Sequence, residues 1–354
     1  MAVETIRINN KKIGKDCPVF IIGEVAQAHD GSLGTAHAYI DAVASAGADA
    51  VKFQTHIANA ESSPAEQWRV NFSYQDKTRF DYWKRMEFTE EQWKELKKHA
   101  EQKGLIFLSS PFSIEAVELL KRVGISAWKV ASGEVNNRFL LEYMVKTRLP
   151  ILLSSGMSDI KEIDKAVEIF NEKKVDFALL QCTSIYPCPP EKVGVNLIPL
   201  FQKRYGCPVG LSDHTGKIYS ALAAVALGAN IIEAHIVLSR ECFGPDTSSS
   251  LTTSEFKDMV KGSCYIRKIL SNPVNKDLTY KDTVEVKKLF NKSIVYKKSL
   301  KKGEVLKKDY LKLVKPGTGV PPDKIYNIIG KVLLKNVSEG DLLKISDLED
   351  KYQN

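Results

Sequence analysis

Val209-Gly-Leu-Ser-Asp-His214 and Ile231-Ile-Glu-Ala-His235 are short apolar runs that each end in a histidine, with an alanine-rich helical pattern over residues 218–227 between them. Two parallel strands joined by such a crossover helix stand side by side in one sheet, with both imidazoles at the same end. A divalent metal held between two imidazoles at the mouth of a barrel fits that placement. The plainer reading, two polar residues finishing buried strands, gives no reason for both to occupy equivalent positions.

The same alternation extends outward. Further strand patterns lie at residues 19–24, 50–54, 106–110, 127–131, 151–154 and 177–182, separated by helical patterns at 35–46, 90–102, 114–123, 138–146 and 160–171. Thr89 with Gln92, and Asp159 with Glu162, have the spacing of a capping box, in which each side chain satisfies the other's free backbone donor. Residues 185–199 read as proline-broken loop. Eight strands alternating with helices over roughly 250 residues predict an α/β fold, a (β/α)8 TIM barrel. A doubly wound sheet is the alternative, but it offers functional strand ends only at a switch point.

This domain is expected over residues 1–270, including an N-terminal hairpin at Ile6-Arg-Ile-Asn-Asn-Lys-Lys-Ile13. Residues 271–288, opening Ser-Asn-Pro-Val-Asn-Lys, read as a linker. Residues 289–354 read as a small β-rich domain, with strand-like runs at 293–296, 305–306 and 331–334 and turns at Lys302-Gly303, Pro316-Gly317 and Glu339-Gly340. The segment 56–87 is too long for an ordinary strand-to-helix connection and carries Trp68, Phe72, Tyr74, Phe80, Tyr82 and Trp83. It reads as a lid or binding wall, or else as a local subdomain or dimer contact.

Composition narrows the class. At 354 residues, 44% hydrophobic and 27% charged, the chain is an ordinary globular protein rather than a disordered one. No apolar run approaches the roughly 20 residues that cross a bilayer. The start, Met1-Ala-Val-Glu-Thr-Ile-Arg7, has no apolar signal core, so a cytoplasmic location with no membrane partner is expected. Cys17, Cys182, Cys188, Cys207, Cys242 and Cys264 form no CxxC pair and read as reduced core or loop residues. The net charge of +8 gathers late, in lysine pairs such as Lys297-Lys298 and Lys301-Lys302. With few aromatic partners beside them, these read as a solvated face that attracts anions, not as a nucleic-acid surface.

In a barrel of this kind the C-terminal strand ends build the active site. They would bring together Glu24, Lys52 with Gln54, Ser109-Ser110, Lys129 with Ser132 and Glu134, Ser154-Ser155, Gln181-Cys-Thr183, Ser212 with His214, and His235. Each alone is weak: a lysine can be a salt-bridge partner and a serine a helix cap. Polar groups on all eight strands are the signal. Two lysines in such a mouth are costly to desolvate unless they meet an anion, and the serines add donors around them. Together they form a cradle for a phosphate and a carboxylate, and an enolpyruvyl phosphate carries both. A metal on two imidazoles keeps open positions for water or substrate oxygen and acts as a Lewis acid on a carbonyl.

These residues resemble the sialic acid synthase family over nearly the whole chain. The motifs are Ile22-Gly-Glu-Val-Ala-Gln-Ala-His-Asp-Gly-Ser32, Val51-Lys-Phe-Gln-Thr55, Trp128-Lys-Val-Ala-Ser-Gly-Glu-Val-Asn-Asn137, Leu153-Ser-Ser-Gly-Met157, Gln181-Cys-Thr-Ser-Ile-Tyr-Pro187, Leu211-Ser-Asp-His-Thr-Gly216, Glu233-Ala-His235 and Gly244-Pro-Asp246. The second domain resembles the family's antifreeze-like (SAF, β-clip) domain, with its key loop at Lys315-Pro-Gly-Thr-Gly319. The resemblance implies condensation of phosphoenolpyruvate with the open-chain aldehyde of an N-acyl hexosamine, typically N-acetylmannosamine, with release of phosphate by C–O cleavage. It implies that His214 and His235 hold Mn2+, or another divalent cation such as Mg2+ or Co2+, and that Glu24 is the acid/base or water-positioning carboxylate. Lys52, Lys129, Ser132, Ser154, Ser184 and Ser212 would bind phosphoenolpyruvate. Gln54, Glu134, Tyr186 and Asp246 would contact the sugar. Lys315 would reach the sugar's N-acyl group across a homodimer whose small domains are exchanged.

Three positions depart from the family's usual pattern: Ala28 precedes His29 where many members have Asn, Ser184 stands where bacterial members often have Asn, and Lys315 replaces an arginine. Lysine keeps the charge but loses the planar fork of donors. The departures bear on the identity of the sugar, so a legionaminic or pseudaminic acid synthase is the neighbouring reading. Outside the family, Lys52 or Lys129 could form an imine with pyruvate in a Schiff-base aldolase. A barrel without activity carrying a glycan-binding second domain is a third reading, and the complete strand-end set argues against it.

Overall fold

Alternate residues of each barrel strand point into two different cores. The computed structural model describes residues 5–349. It opens with an antiparallel hairpin of β1 (Ile6–Ile8) and β2 (Lys11–Ile13), turned at Asn9-Asn10. The barrel strands are β3 (Phe20–Ala26), β4 (Ala50–Thr55), β5 (Ile106–Pro111), β6 (Trp128–Val130), β7 (Ile151–Ser154), β8 (Phe177–Cys182), β9 (Val209–Asp213) and β10 (Ile231–Val237). They pair in parallel in that order, and β10 pairs with both β9 and β3, so the ring is closed. A short β11 (Leu251–Thr252) pairs in parallel with the end of β10. The doubly wound alternative is thereby excluded.

Inward-facing Phe20, Ile22, Ala50, Ile106, Leu108, Ala127, Leu152, Ala178, Leu180 and Ile231 fill the barrel, and Ile6, Ile8 and Ile13 of the hairpin close its N-terminal end. Outward-facing residues of the same strands, such as Ile21, Val51, Phe107, Leu153, Leu211 and Ile232, pack under the helices. The helices are α1 (Leu33–Ala46), α2 (Ala58–Glu61), α3 (Arg79–Met86), α4 (Glu90–Gln102), α5 (Ile114–Val123), α6 (Arg138–Val145), α7 (Ile160–Lys173), α8 (Leu197–Tyr205), α9 (Tyr219–Ala226) and α10 (Thr253–Leu270). Both expected capping boxes are formed, at Thr89/Gln92 and Asp159/Glu162. A cap of this kind contributes about 1 kcal/mol.

Two departures from the sequence reading have a local cause. Helix α8 begins inside the stretch expected to be proline-broken loop. Pro199 is its third residue, within the first turn, where a backbone N–H has no intrahelical acceptor to lose. Residues 271–288, expected as a linker, are largely helical, with α11 (Lys276–Asp282) capped by Asn275 and α12 (Val284–Phe290) following.

The chain divides into two units, 1–272 and 273–354; residues 1–4 and 350–354 of the expected domains lie outside the described residues. In the second unit β12 (Ser293–Tyr296) pairs antiparallel with β13 (Leu311–Val314), a strand the sequence reading did not include. The expected runs 305–306 and 331–334 meet through an isolated bridge, Val305 to Val332. Ile294, Tyr296, Leu306, Leu333 and Leu343 are among its buried core. Ser293 pins the loop 315–319 from within: its hydroxyl donates to the Pro316 carbonyl at 2.6 Å and accepts from the Gly319 N–H at 2.8 Å.

Candidate active site

One step of two residues past the apolar layers, every barrel strand changes chemistry. Counting on from Ile22, Ala50, Leu108, Ala127, Leu152, Leu180, Gly210 and Ile231 gives Glu24, Lys52, Ser110, Lys129, Ser154, Cys182, Ser212 and Glu233. One more step gives Gln54, His214 and His235. The pleat that fills the barrel's lower layers therefore also aims these groups into its mouth. They line one cavity of about 510 Å³, together with Ser132, Glu134, Ser184, Tyr186 and Asp246. Every first-domain residue given a catalytic, donor or sugar role lines it. Ser109, Ser155, Gln181 and Thr183, also expected at the strand ends, do not: their side chains donate instead to the backbone carbonyls of Phe53, Leu180, Val193 and Lys192. Lys315 belongs to the second unit, where it is exposed and stacks its ammonium 5.0 Å from the Phe290 ring centroid.

At the cavity floor four ionisable side chains are sealed from solvent. Lys52 Nζ lies 2.8 Å from Glu24 Oε2 and 3.7 Å from Glu233 Oε1. Lys129 Nζ lies 3.4 Å from that same Glu233 oxygen and donates to Ser154 Oγ at 2.7 Å. Ser212 donates to Glu233 at 3.0 Å. Burial pushes Glu24 up to about 7, although Lys52 pulls the other way. Burial also opposes the charge of Glu233, but Lys129 and Lys52 outweigh it and hold that carboxyl down at about 2. Of the two acids, Glu233 therefore keeps the negative charge and Glu24 takes the proton. Burial lowers Lys129, with Glu233 partly offsetting it. Glu233 is the residue the strand-end reading passed over, having assigned the anion between the lysines to a substrate. Its inward parity on β10, at the height of both lysines, was the available signal.

Beside this floor three small side chains surround Gly156. Its N–H donates to Ser132 Oγ at 3.1 Å. A methyl group at its Cα would lie 2.3 Å from Ser184 Oγ, 2.5 Å from Ser132 Oγ and 2.8 Å from Cys182 Sγ.

The His214 and His235 rings lie 5.3 Å apart, centroid to centroid. His214 Nδ1 is 3.0 Å from the Thr183 carbonyl oxygen, which fixes a hydrogen on that nitrogen and leaves the Nε2 lone pair free. Burial pushes His235 down to about 4, so its imidazole is neutral. Its Nδ1 is 3.9 Å from Asp246 Oδ2. Among the described residues no three His, Cys, Asp or Glu side chains form a ready-made cage. Burial opposes charge on His214 as well, but Cys182 and the Thr183 carbonyl outweigh it and push that imidazole up from its ordinary value. The donor set is two imidazoles, which suits an ion whose coordination is completed by water or substrate oxygen.

The segment 56–87 walls the cavity. Arg69 donates to Asp246 at 2.6 Å and lies 4.5 Å over the Tyr186 ring, which in turn lies 4.1 Å from the His214 ring at a tilt of 35°. Trp68, Phe72 and Tyr82 pack on one another, and Phe72 reaches Phe243 in the loop that carries Asp246. The segment is thus both a locally packed aromatic cluster and a wall of the site. Gln54 donates to Glu24 at 2.9 Å, and its carbonyl oxygen is 3.3 Å from His56 Nε2.

Known proteins resemble this chain in sequence and fold. The NeuB family model matches residues 39–275 and the SAF domain model residues 291–349. The human N-acetylneuraminate-9-phosphate synthase is 34% identical, over 96% of this chain and 95% of its own. The N,N'-diacetyllegionaminic acid synthase of Campylobacter jejuni is 33% identical, over 92% of this chain and 98% of its own. The crystal structure of the N-acetylneuraminic acid synthetase of Leptospira borgpetersenii superposes with a TM-score of 0.71 at 32% identity, covering 80% of this chain and 98% of that one. No helix among the described residues is long and apolar enough to cross a membrane. With more than half its length matched and relatives aligned nearly end to end, the chain belongs to the NeuB family, the phosphoenolpyruvate-using nonulosonic acid synthases, and carries a SAF domain.

Proposed function

We propose that the cavity condenses phosphoenolpyruvate with the open-chain aldehyde of an N-acyl amino sugar, N-acetylmannosamine or a related hexosamine, to give a nonulosonic acid and phosphate. The observation that carries this reading is the meeting, in one cavity, of two buried lysines ringed by serines and two buried imidazoles. Lys52 and Lys129 supply positive charge to the donor's phosphate and carboxylate, and Ser132, Ser154, Ser184 and Ser212 supply hydroxyl donors around them. Gln54, Glu134, Tyr186 and Asp246 contact the sugar.

In the reaction, C3 of phosphoenolpyruvate bonds to the aldehyde carbon and the aldehyde oxygen takes up a proton. Water adds to C2, and the C2–O bond to phosphate breaks. Glu24 is placed to take a proton from that water, since burial brings its carboxyl into the neutral range. Lys52 at 2.8 Å holds the carboxylate in place as it ionises. His214 and His235 would hold Mn2+, or Mg2+ or Co2+, and such an ion supplies Lewis-acid polarisation of the aldehyde carbonyl. Lys315 contributes to the sugar site in a homodimer with exchanged small domains, and the enzyme works in the cytoplasm. The name of the Campylobacter relative makes a diacylated sugar the neighbouring choice of acceptor.

The test is phosphate release from phosphoenolpyruvate and Mn2+ with a panel of N-acyl hexosamines. Release that depends on one of them, with equimolar formation of a 2-keto sugar acid, is the expected result. Folded protein that releases none with any acceptor overturns the reading.

A further inference from the structure

We propose that Glu61, held by His56 between two aromatic rings, receives the far end of the acceptor sugar, and that this end is a neutral hydrogen-bond donor, a hydroxyl or an acylamino N–H, rather than a phosphomonoester. The inference rests on the functional reading above and narrows its substrate class.

The wall is built from three parts of the chain. His56, just beyond β4, lies flat between Trp83 of α3 (3.9 Å, 17°) and Phe112 just beyond β5 (4.3 Å, 9°). Its Nδ1 is 2.5 Å from Glu61 Oε1, and its Nε2 faces Gln54. The stack thus fixes the imidazole, and the imidazole fixes the carboxylate. The Glu61 side chain is 8% exposed and lines the cavity, yet its second oxygen is sealed from solvent with no hydrogen-bond partner. A buried carboxylate oxygen left alone is costly, so this one is poised for a donor that arrives with a ligand.

Position says which part of the ligand. The imidazoles that face the aldehyde stand on β9 and β10, whereas Glu61 follows β4. In the closed ring of eight strands β5, whose neighbouring Phe112 backs His56, stands opposite β9, and β4 stands three places from β9 and two from β10. A sugar chain with its aldehyde at the histidines therefore extends toward Glu61.

Charge says what that part cannot be. Four cations line the cavity: Lys52 and Lys129 serve the phosphoenolpyruvate end, and Arg69 and Arg79 face Asp246 and Glu66 respectively. Glu61 and Glu134 are additional. A phosphate ester at the far end would meet Glu61, Glu66 and Glu134 with no uncommitted cation among the described lining residues. Like charges in so buried a site repel strongly.

The experiment compares initial rates of phosphate release with phosphoenolpyruvate and Mn2+, using neutral N-acyl hexosamines (N-acetylmannosamine and 2,4-diacylamino sugars) and N-acetylmannosamine 6-phosphate. The unmodified enzyme is expected to favour a neutral acceptor in kcat/KM by at least about 100-fold, the scale of one unfavourable charged contact. Glu61→Gln should raise the acceptor KM about tenfold and leave the phosphoenolpyruvate KM unchanged, because only the charged acceptor oxygen is lost. Equal or better use of the 6-phosphate, or an acceptor KM in Glu61→Gln within about twofold of the unmodified enzyme, overturns the inference while leaving the functional reading intact. Absence of release with every acceptor defeats the functional reading, and the inference falls with it.

Discussion

Glu24 and Lys52 share a 2.8 Å ion pair between neighbouring strands β3 and β4, and both side chains are sealed from water. Even so, burial pushes the carboxyl up to about 7, and the negative charge of Glu233 on the other side of the same lysine adds to the rise. A group that must accept a proton works only when ionised, so kcat/KM should rise with pH through a limb near 7. Glu24→Gln should remove that limb and lower kcat roughly 10²–10⁴-fold, the range for loss of a positioned acid/base. The pH–rate profile of the variant is the check. A limb near 7 that survives in Glu24→Gln belongs to another group.

Glu233 is the shared counter-charge for both lysines. Replacing it with Gln keeps the volume but leaves Lys52 and Lys129 buried together with only Glu24 between them. Breaking a buried pair by removing one partner costs about 3–5 kcal/mol. In a barrel of this size about 1 kcal/mol corresponds to roughly 2–4 °C in Tm. Thermal unfolding of Glu233→Gln should therefore begin some ten degrees lower. Phosphoenolpyruvate, which would supply new negative charge to the same ammonium groups, should recover part of the loss.

The positions of these groups were legible because a barrel strand has a strict period of two. Once Ile22 and Ala50 are inward, Glu24 and Lys52 must be too, and a reading of alternation alone recovers most of the floor. What sequence could not show is pairing at a distance. Arg69 and Asp246 meet across 177 residues, and the loop between β4 and α4 has no period that would reveal its fold. His56 and Glu61 were missed for the same reason: their role comes from Trp83 and Phe112, which reach them only in three dimensions. Helix α8 was hidden by Pro199, whose tolerance depends on where the helix starts.

Gly156 offers a separate handle on the donor site. An added methyl would meet Ser184 Oγ and Ser132 Oγ at 2.3 and 2.5 Å, far inside contact distance. Those two hydroxyls are proposed to hold the phosphate, so Gly156→Ala should displace them from it. The expected effect is a rise in the phosphoenolpyruvate KM of about tenfold or more, the loss of one or two charged hydrogen bonds. The acceptor KM should stay where it is. An unchanged donor KM would remove these serines from the phosphate site.

The two imidazoles separate metal-assisted condensation from imine chemistry. An imine route needs a free amine, and burial does lower Lys129, so that route has a physical basis. Against it, Lys129 is held between Glu233 at 3.4 Å and Ser154 at 2.7 Å, and both partners favour its charged form. Borohydride with pyruvate should leave the enzyme active, whereas a chelator should abolish phosphate release and added Mn2+ should restore it. His214→Ala and His235→Ala should each lower kcat by about 10³-fold, comparable to the loss of a principal electrostatic group. Neither lies in the apolar layers that hold the barrel together, so their unfolding transitions should stay within a few degrees of the unmodified protein. Inactivation by borohydride, or full activity after dialysis against chelator, would transfer the catalytic burden from the histidines to a lysine.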